Sequence, residues 1–207
     1  MIKMRENRKE AVSRHKRELI LDAARSVFAE EGLEGASLRA IASRAGYTPA
    51  ALYFHFNSKE AIYAEVLRQS LASLGEAVSA AVATTKGARH RLHSAGMAFF
   101  RYYADNPRDL DLGFYLLRGG MKPAGLGHDR DRELNAALEA ALHPIAEAAE
   151  ALGASRPKAN TVMVDCFAHA TGLLLLLHTG RIRMFGASAP DLMDTYLRDK
   201  IAQLGKE

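Results

Sequence analysis

Three groups of residues in this 207-residue chain are of types and spacings that could do chemistry. The first is a run of charge. Lys3, Arg5, Arg8, Lys9, Arg14, Lys16 and Arg17 face only Glu6 and Glu10, so the arm carries +5 where the whole chain carries +4. Such a segment is either a solvated terminus or an arm that meets a polyanion. The second group is dispersed. His90 and His93 stand at i, i+3 without a carboxylate at ligand spacing, so no metal site is expected there. Asp129, Asp131 and Glu133 alternate with Arg130 and Arg132 as a self-paired, solvated face. Cys166 is the single cysteine, which excludes an internal disulfide or a multi-cysteine metal site, and it reads as a small buried hydrophobe. No phosphate-cradling glycine loop and no nucleophile elbow occurs, so neither an enzyme nor a bound cofactor is expected. The third group lies between Ser37 and Lys59, where capping hydroxyls, a glycine turn, a proline and scattered donors follow one another closely. Their chemistry is recognition by hydrogen bond and charge, and it depends on the elements that carry them.

Those elements are helices nearly throughout. Ala and Leu abound and two-residue alternation is scarce. The composition, 48% hydrophobic and 25% charged, is that of a globular chain and not of a disordered or low-complexity one. A first helix is expected from about Ser13, with Leu19, Ile20, Ala23, Ala24, Val27 and Phe28 on one stripe and Gly32 at its end. Ser37 caps a second, short helix running to Ala45, whose buried face is Leu38, Ile41, Ala42 and Ala45; Gly46 stops it. Thr48 caps a third, with Pro49 at the position where a missing N–H costs nothing, ending near Phe56. Asn57 or Ser58 caps the fourth; with Asn57 as cap, Glu60 completes a capping box. Further helices are expected near 88–105, 107–118, 128–152 (kinked at Pro144), 157–179 and 190–204. Residues 37–56 thus have the form of a helix-turn-helix, in which a short helix on a rigid tripod fits a major groove about 12 Å wide.

Residues 23–67, AARSVFAEEGLEGASLRAIASRAGYTPAALYFHFNSKEAIYAEVL, resemble the TetR/AcrR family of transcriptional regulators. The resemblance rests on Phe28 and Gly32, on the S-L-R-x-I-A-x-x-A-G second helix, on Leu52, Tyr53 and Phe56, and on Lys59-Glu60. It implies an all-α fold of about nine helices: an N-terminal helix-turn-helix domain over residues 1–65, and a helical bundle over 66–207 for ligand binding and dimerisation. By the same resemblance Ser37, Tyr53, His55 and Lys59 are phosphate contacts, and Arg39, Thr48, Pro49 and Ala50 are base-edge candidates. Tyr53 and His55 have a plainer alternative, packing beneath the third helix. Pro49-Ala50-Ala51 departs from the more polar family pattern, so readout leans on thymine methyl groups, Thr48 and Arg39.

The C-terminal half follows the family in layout only. The helix near 157–179 is apolar on two faces, one marked by Val162, Cys166, Ala170, Leu173 and Leu177, the other by Met163, Phe167, Leu174 and His178. A second buried face calls for a partner subunit, with Met163, Leu174, His178 and Leu197 as dimer-interface candidates. Phe99, Phe100, Tyr102, Tyr103, Phe114 and Tyr115 cluster, either as plain core or as the wall of an effector cavity. The pocket candidates are Phe100, Tyr103, Phe114, Leu117, Phe167, His169 and Thr171. The N-terminus has no apolar signal region, and Asp165 and His169 interrupt the most apolar stretch, Thr161 to Thr179, so a cytoplasmic protein with no membrane partner is expected. The resulting expectation is a homodimeric, ligand-responsive repressor that binds a palindromic double-stranded DNA operator and is released by a small apolar or aromatic effector. Its alternatives are an activator or co-repressed regulator of the same fold, or a helical lipid-binding protein or enzyme.

Overall fold

A computed structural model describes residues 2–114 and 125–204, with side chains from residue 10 onward. Among the described residues there are nine α-helices and no strand: α1 Ile2–Gly35, α2 Leu38–Ala45, α3 Pro49–Tyr53, α4 Lys59–Ala83, α5 Ala88–Asp105, α6 Pro107–Gly113, α7 His128–Glu150, α8 Arg156–His178 and α9 Ala189–Leu204. A short 3₁₀ turn, Arg181–Phe185, joins the last two. The chain is all-α, as expected. Its first helix starts eleven residues earlier than the Ser13 expected from its apolar stripe. A polar run of Arg, Lys, Glu and Ala has no apolar periodicity to announce it, yet contains no helix breaker.

The chain divides into two compact units, one of Met1–Gln69 with Asp111–Asp131, the other of Ser70–Leu110 with Arg132–Glu207. The first thus takes in a segment that the 1–65/66–207 division assigns to the second. The tie is specific: the buried Tyr63 hydroxyl donates to the Leu112 carbonyl oxygen at 2.9 Å. The core of this unit is built from Ile20, Ala24, Val27 and Phe28 of α1, Ile41 and Ala42 of α2, Leu52 and Phe56, and Ile62, Tyr63 and Val66 of α4. Phe28 meets Tyr63 edge-on with ring centroids 4.8 Å apart. Gly32 interrupts α1 with φ 69° and ψ 180°, and one further turn carries the chain to Gly35.

In the second unit α5, α8 and α9 pack on one another. Leu92, Phe99 and Phe100 of α5 meet a core supplied by Val162, Cys166, Ala170 and Leu174 of α8 and by Met193 and Leu197 of α9. Gly96 lets α9 approach: a Cβ there would lie 2.6 Å from Cδ2 of Leu197. Helix α7 continues across Pro144 to Glu150, burying Leu134, Leu142, Ile145 and Ala149.

Candidate nucleic-acid interface

The reading helix is positioned by local chemistry. The Ser37 hydroxyl oxygen accepts the Ala40 N–H at 3.1 Å and so caps α2. At the other end Gly46, with φ 74°, adopts the left-handed conformation that closes a helix, and its N–H is donated back to α2 carbonyls. The Tyr47 N–H donates to the Ala42 carbonyl at 2.9 Å, which tightens the turn. The Thr48 hydroxyl oxygen accepts the Ala51 N–H at 3.3 Å, and Pro49 opens α3. Leu52 anchors α3: it is fully buried, and its carbonyl accepts both His55 N–H and Phe56 N–H, at 2.8 and 2.9 Å.

What this leaves outside is a contiguous polar and aromatic surface. Ser37, Arg39, Thr48, Pro49, Ala50 and Tyr53 are all exposed, and His55 is half-buried. Tyr53 stands 60% exposed, so it does not pack beneath α3. Arg39 has no hydrogen bond or ion pair among the described residues, and neither does Lys16 on α1. Neighbouring cations are compensated. Arg44 makes two hydrogen bonds to the Glu30 carboxylate, at 2.6 and 2.7 Å. Arg17 lies over the Phe56 ring at 4.4 Å and within 3.4 Å of Glu65. The Glu65 carboxyl is held below its usual range chiefly by the hydrogen bond from Arg68. Arg39 and Lys16 therefore keep uncompensated positive charge among the described residues.

Lys59 is placed otherwise than a phosphate contact requires. Its ammonium donates to the carbonyl oxygens of Leu33 at 2.9 Å, Glu34 at 3.3 Å and Ala36 at 3.3 Å. In this arrangement it closes the end of α1 and fixes the start of α4. The α4 cap is Ser58, whose hydroxyl oxygen accepts the Ala61 N–H at 3.1 Å, so the Asn57–Glu60 capping box does not form.

Residues 20–66 match the family model described as "Bacterial regulatory proteins, tetR family". Over 83 residues the chain is 40% identical to the HTH-type transcriptional activator FasR of Mycolicibacterium smegmatis, covering 40% of this chain and 38% of that one. Over 63 residues it is 38% identical to the HTH-type transcriptional repressor AcnR of Corynebacterium efficiens, covering 30% of this chain and 34% of that one. The chain thus spans well under half the length of the curated relatives it matches. A TetR-like transcriptional regulator from Rhodococcus sp. RHA1 shares the fold over 90% of this chain and 96% of its own, with TM-score 0.67 at 17% identity. Residues 20–66 thus resemble the N-terminal segment of TetR-family regulators.

One residue of this surface is not singled out by the sequence. Phe54, 88% exposed, sits between Tyr53 and His55 at the end of α3. It borders a shallow hollow of about 220 Å³ lined also by Lys16, Ile20, Tyr47, Ala51 and His55. An apolar residue in an aromatic run reads as core; only the three-residue offset of Phe54 from Ala51 placed it on the outer face.

Phe100 and Tyr103 are sealed in the second unit's core, where Phe99 contacts Tyr103 at 5.2 Å and Phe167 at 5.8 Å, edge to face. His169 and Thr171 are half-buried; His169 lies on another side of α8, stacked on Tyr196 at 3.9 Å. Phe114 is half-buried and belongs to the first unit. Leu117 and Tyr115 lie outside the described residues. Burial pushes the Tyr102 phenol up to about 12, helped by its hydrogen bond to Asp109.

The dimer candidates need correction. Leu174 and Leu197 are fully buried within one chain, so neither is available to a partner. His178 is tied inward, donating to the Tyr103 carbonyl oxygen at 2.9 Å, and Met163 is half-buried. The exposed apolar face of α8 is instead Val164, Ala168, Gly172 and Leu175, spaced i, i+4, i+8, i+11, with Val164 58% and Leu175 51% exposed. A Cβ at Gly172 would meet nothing within 4 Å. By length and composition α8 is also apolar enough to cross a membrane, with mean hydropathy 1.5 over its most apolar window. Only 28% of that window is buried.

Proposed function

We propose that this chain is a ligand-responsive transcriptional repressor that binds a palindromic operator in double-stranded DNA as a homodimer. The observation that carries the reading is the exposed face of Thr48, Pro49 and Ala50 beside an uncompensated Arg39. A five-residue helix with small residues at its start brings the backbone close to base edges. Arg39 supplies a bidentate donor for guanine, Pro49 and Ala50 offer apolar contact to thymine methyls, and Ser37, Tyr53 and His55 hold phosphates. The exposed α8 stripe is the surface on which two copies pair, which also accounts for a helix apolar enough for a membrane in a cytoplasmic regulator. A small apolar effector bound in the second unit releases the DNA, and α4, whose residues fall in both units, is the connecting element.

Selection of duplexes from a randomised library by the full chain tests the reading. A two-fold symmetric consensus is expected, with log affinity falling linearly with log salt. Arg39→Ala should relax base preference at one position per half-site by about 1–3 kcal/mol. Recovery of no consensus overturns the reading. An activator of the same fold is the second reading, favoured by the 40% identity over 83 residues to the M. smegmatis transcriptional activator FasR. A reporter under the selected sequence distinguishes them by sign.

A further inference from the structure

Phe54 takes no part in the core. It is 88% exposed, more than any other large apolar residue among those described. Its backbone, with φ −71° and ψ −20°, continues the helical geometry of α3, so the helical register still places its side chain. At about 100° per residue Phe54 lies roughly 200° from Leu52, nearly opposite the one side chain of α3 that is fully buried. Ala50 lies roughly 200° from Leu52 in the other sense, so Ala50 and Phe54 share an outward face about 6 Å apart along the axis.

The groups around that face differ from those that form it. Phe54 borders two hollows. One, of about 220 Å³, has Lys16, Tyr47 and His55 in its wall. The other, shallower and of about 420 Å³, has Arg17, Tyr53 and Asn57. The Lys16 ammonium, the Tyr53 hydroxyl and the Asn57 amide have no partner among the described residues. Donors and cations that suit phosphates thus stand around a ring that can hold none. A duplex presents phosphates along the walls of its major groove and base edges at the floor, where the thymine C5-methyl is the apolar group.

We propose that Phe54 is a base-reading residue, whose ring covers the C5-methyl group of one thymine in each half-site. The proposal rests on the DNA-binding reading above. It gives α3 a second apolar probe, one turn beyond Ala50, in a helix whose first turn lacks side-chain hydrogen-bond donors for bases. Target choice then depends on the placement of methyl groups as well as on the Arg39 guanidinium.

The test compares the full chain with its Phe54→Ala variant on a library-selected duplex in which each thymine in turn is replaced by uracil, symmetrically in both half-sites. That replacement removes the methyl group alone. Loss of one buried methyl corresponds to a roughly fourfold weakening per half-site, and about fifteenfold for both. The variant should bind the parent duplex more weakly by at least that factor. It should be indifferent to uracil at one symmetric pair and keep the full chain's sensitivity at any other. Its salt slope should match that of the full chain, because no phosphate contact is lost. Its thermal unfolding should be unchanged, because the ring is exposed. Equal affinity of the two proteins for the parent duplex overturns the proposal. So does a variant that keeps every uracil-sensitive position, one whose loss is a shallower salt slope alone, or one with a lowered unfolding midpoint, which would make the ring a structural group. In each of these cases the selected consensus stands, and the DNA-binding reading with it. If the full chain selects no duplex at all, that reading fails, and the proposal falls with it.

Discussion

Lys59→Met separates two roles that one side chain cannot fill at once. A phosphate contact needs the ammonium free at the start of α4; the structure commits it to the carbonyls of Leu33, Glu34 and Ala36. Methionine keeps the aliphatic stem and removes the donor. Hydrogen bonds to a charged group contribute about 1.5–3 kcal/mol each, but two of these three are long at 3.3 Å and the site is half-buried. A net loss of about 1.5–3 kcal/mol is therefore expected for the set, or a roughly 10- to 150-fold rise in opening of the α1–α2 junction. Amide exchange at Ala36, whose N–H donates to the Gly32 carbonyl at 3.2 Å, reads that opening directly. DNA affinity should fall with it, while the slope of log affinity against log salt stays unchanged, because no phosphate contact is lost. A slope shallower by about 0.9 per subunit, with exchange at Ala36 unaltered, would falsify the capping role and restore Lys59 to the phosphate set.

Three further outcomes are expected. Gly96→Ala forces a methyl against Leu197, at 2.6 Å from its Cδ2, and should destabilise the second unit by about 1–3 kcal/mol; the double variant with Leu197→Ala should recover part of that loss in thermal unfolding, and strict additivity would refute the contact. Leu175→Asp places a charge on the exposed α8 stripe and should convert a dimer to a monomer in light scattering, whereas a dimer that survives it must form elsewhere. Desolvation holds the His169 imidazole below its ordinary value, against an opposing pull from Asp165, so the unfolded chain binds the extra proton first. Stability from this site is fully present above about pH 6.5 and is lost as pH falls through the lower folded value; His169→Phe should flatten unfolding curves measured between pH 7 and 5, and an unchanged pH profile would reject the assignment.

The breaks between helices were legible because Gly, Pro and Asn act locally. The expected 88–105 helix is the observed Ala88–Asp105, and Gly46 closes α2 by the left-handed geometry its position demanded. The reading head was equally legible, since its caps and buried residues follow from neighbours in sequence. What sequence could not supply was direction. Helix α8 is apolar on two sides, and nothing in its periodicity says which side the chain keeps; Val162, Cys166, Ala170 and Leu174 are among the residues it buries. Lys59 faces carbonyls rather than solvent because α1 breaks at Gly32 and ends within its reach, a tertiary coincidence invisible in the motif. Of the two α4 caps left open, Asn57 and Ser58, it is the Ser58 hydroxyl that accepts the Ala61 N–H; a one-residue choice between two good caps is decided by packing.

Helix α3 is held by its end caps and by a single fully buried side chain, Leu52. Too short to persist as an isolated helix, it exists only while the tripod beneath it exists. The same economy frees its outer positions from any duty to the fold. Substitutions at Pro49, Ala50 or Phe54 leave the scaffold's packing untouched, so this outer face can change its chemistry without first passing through an unstable intermediate.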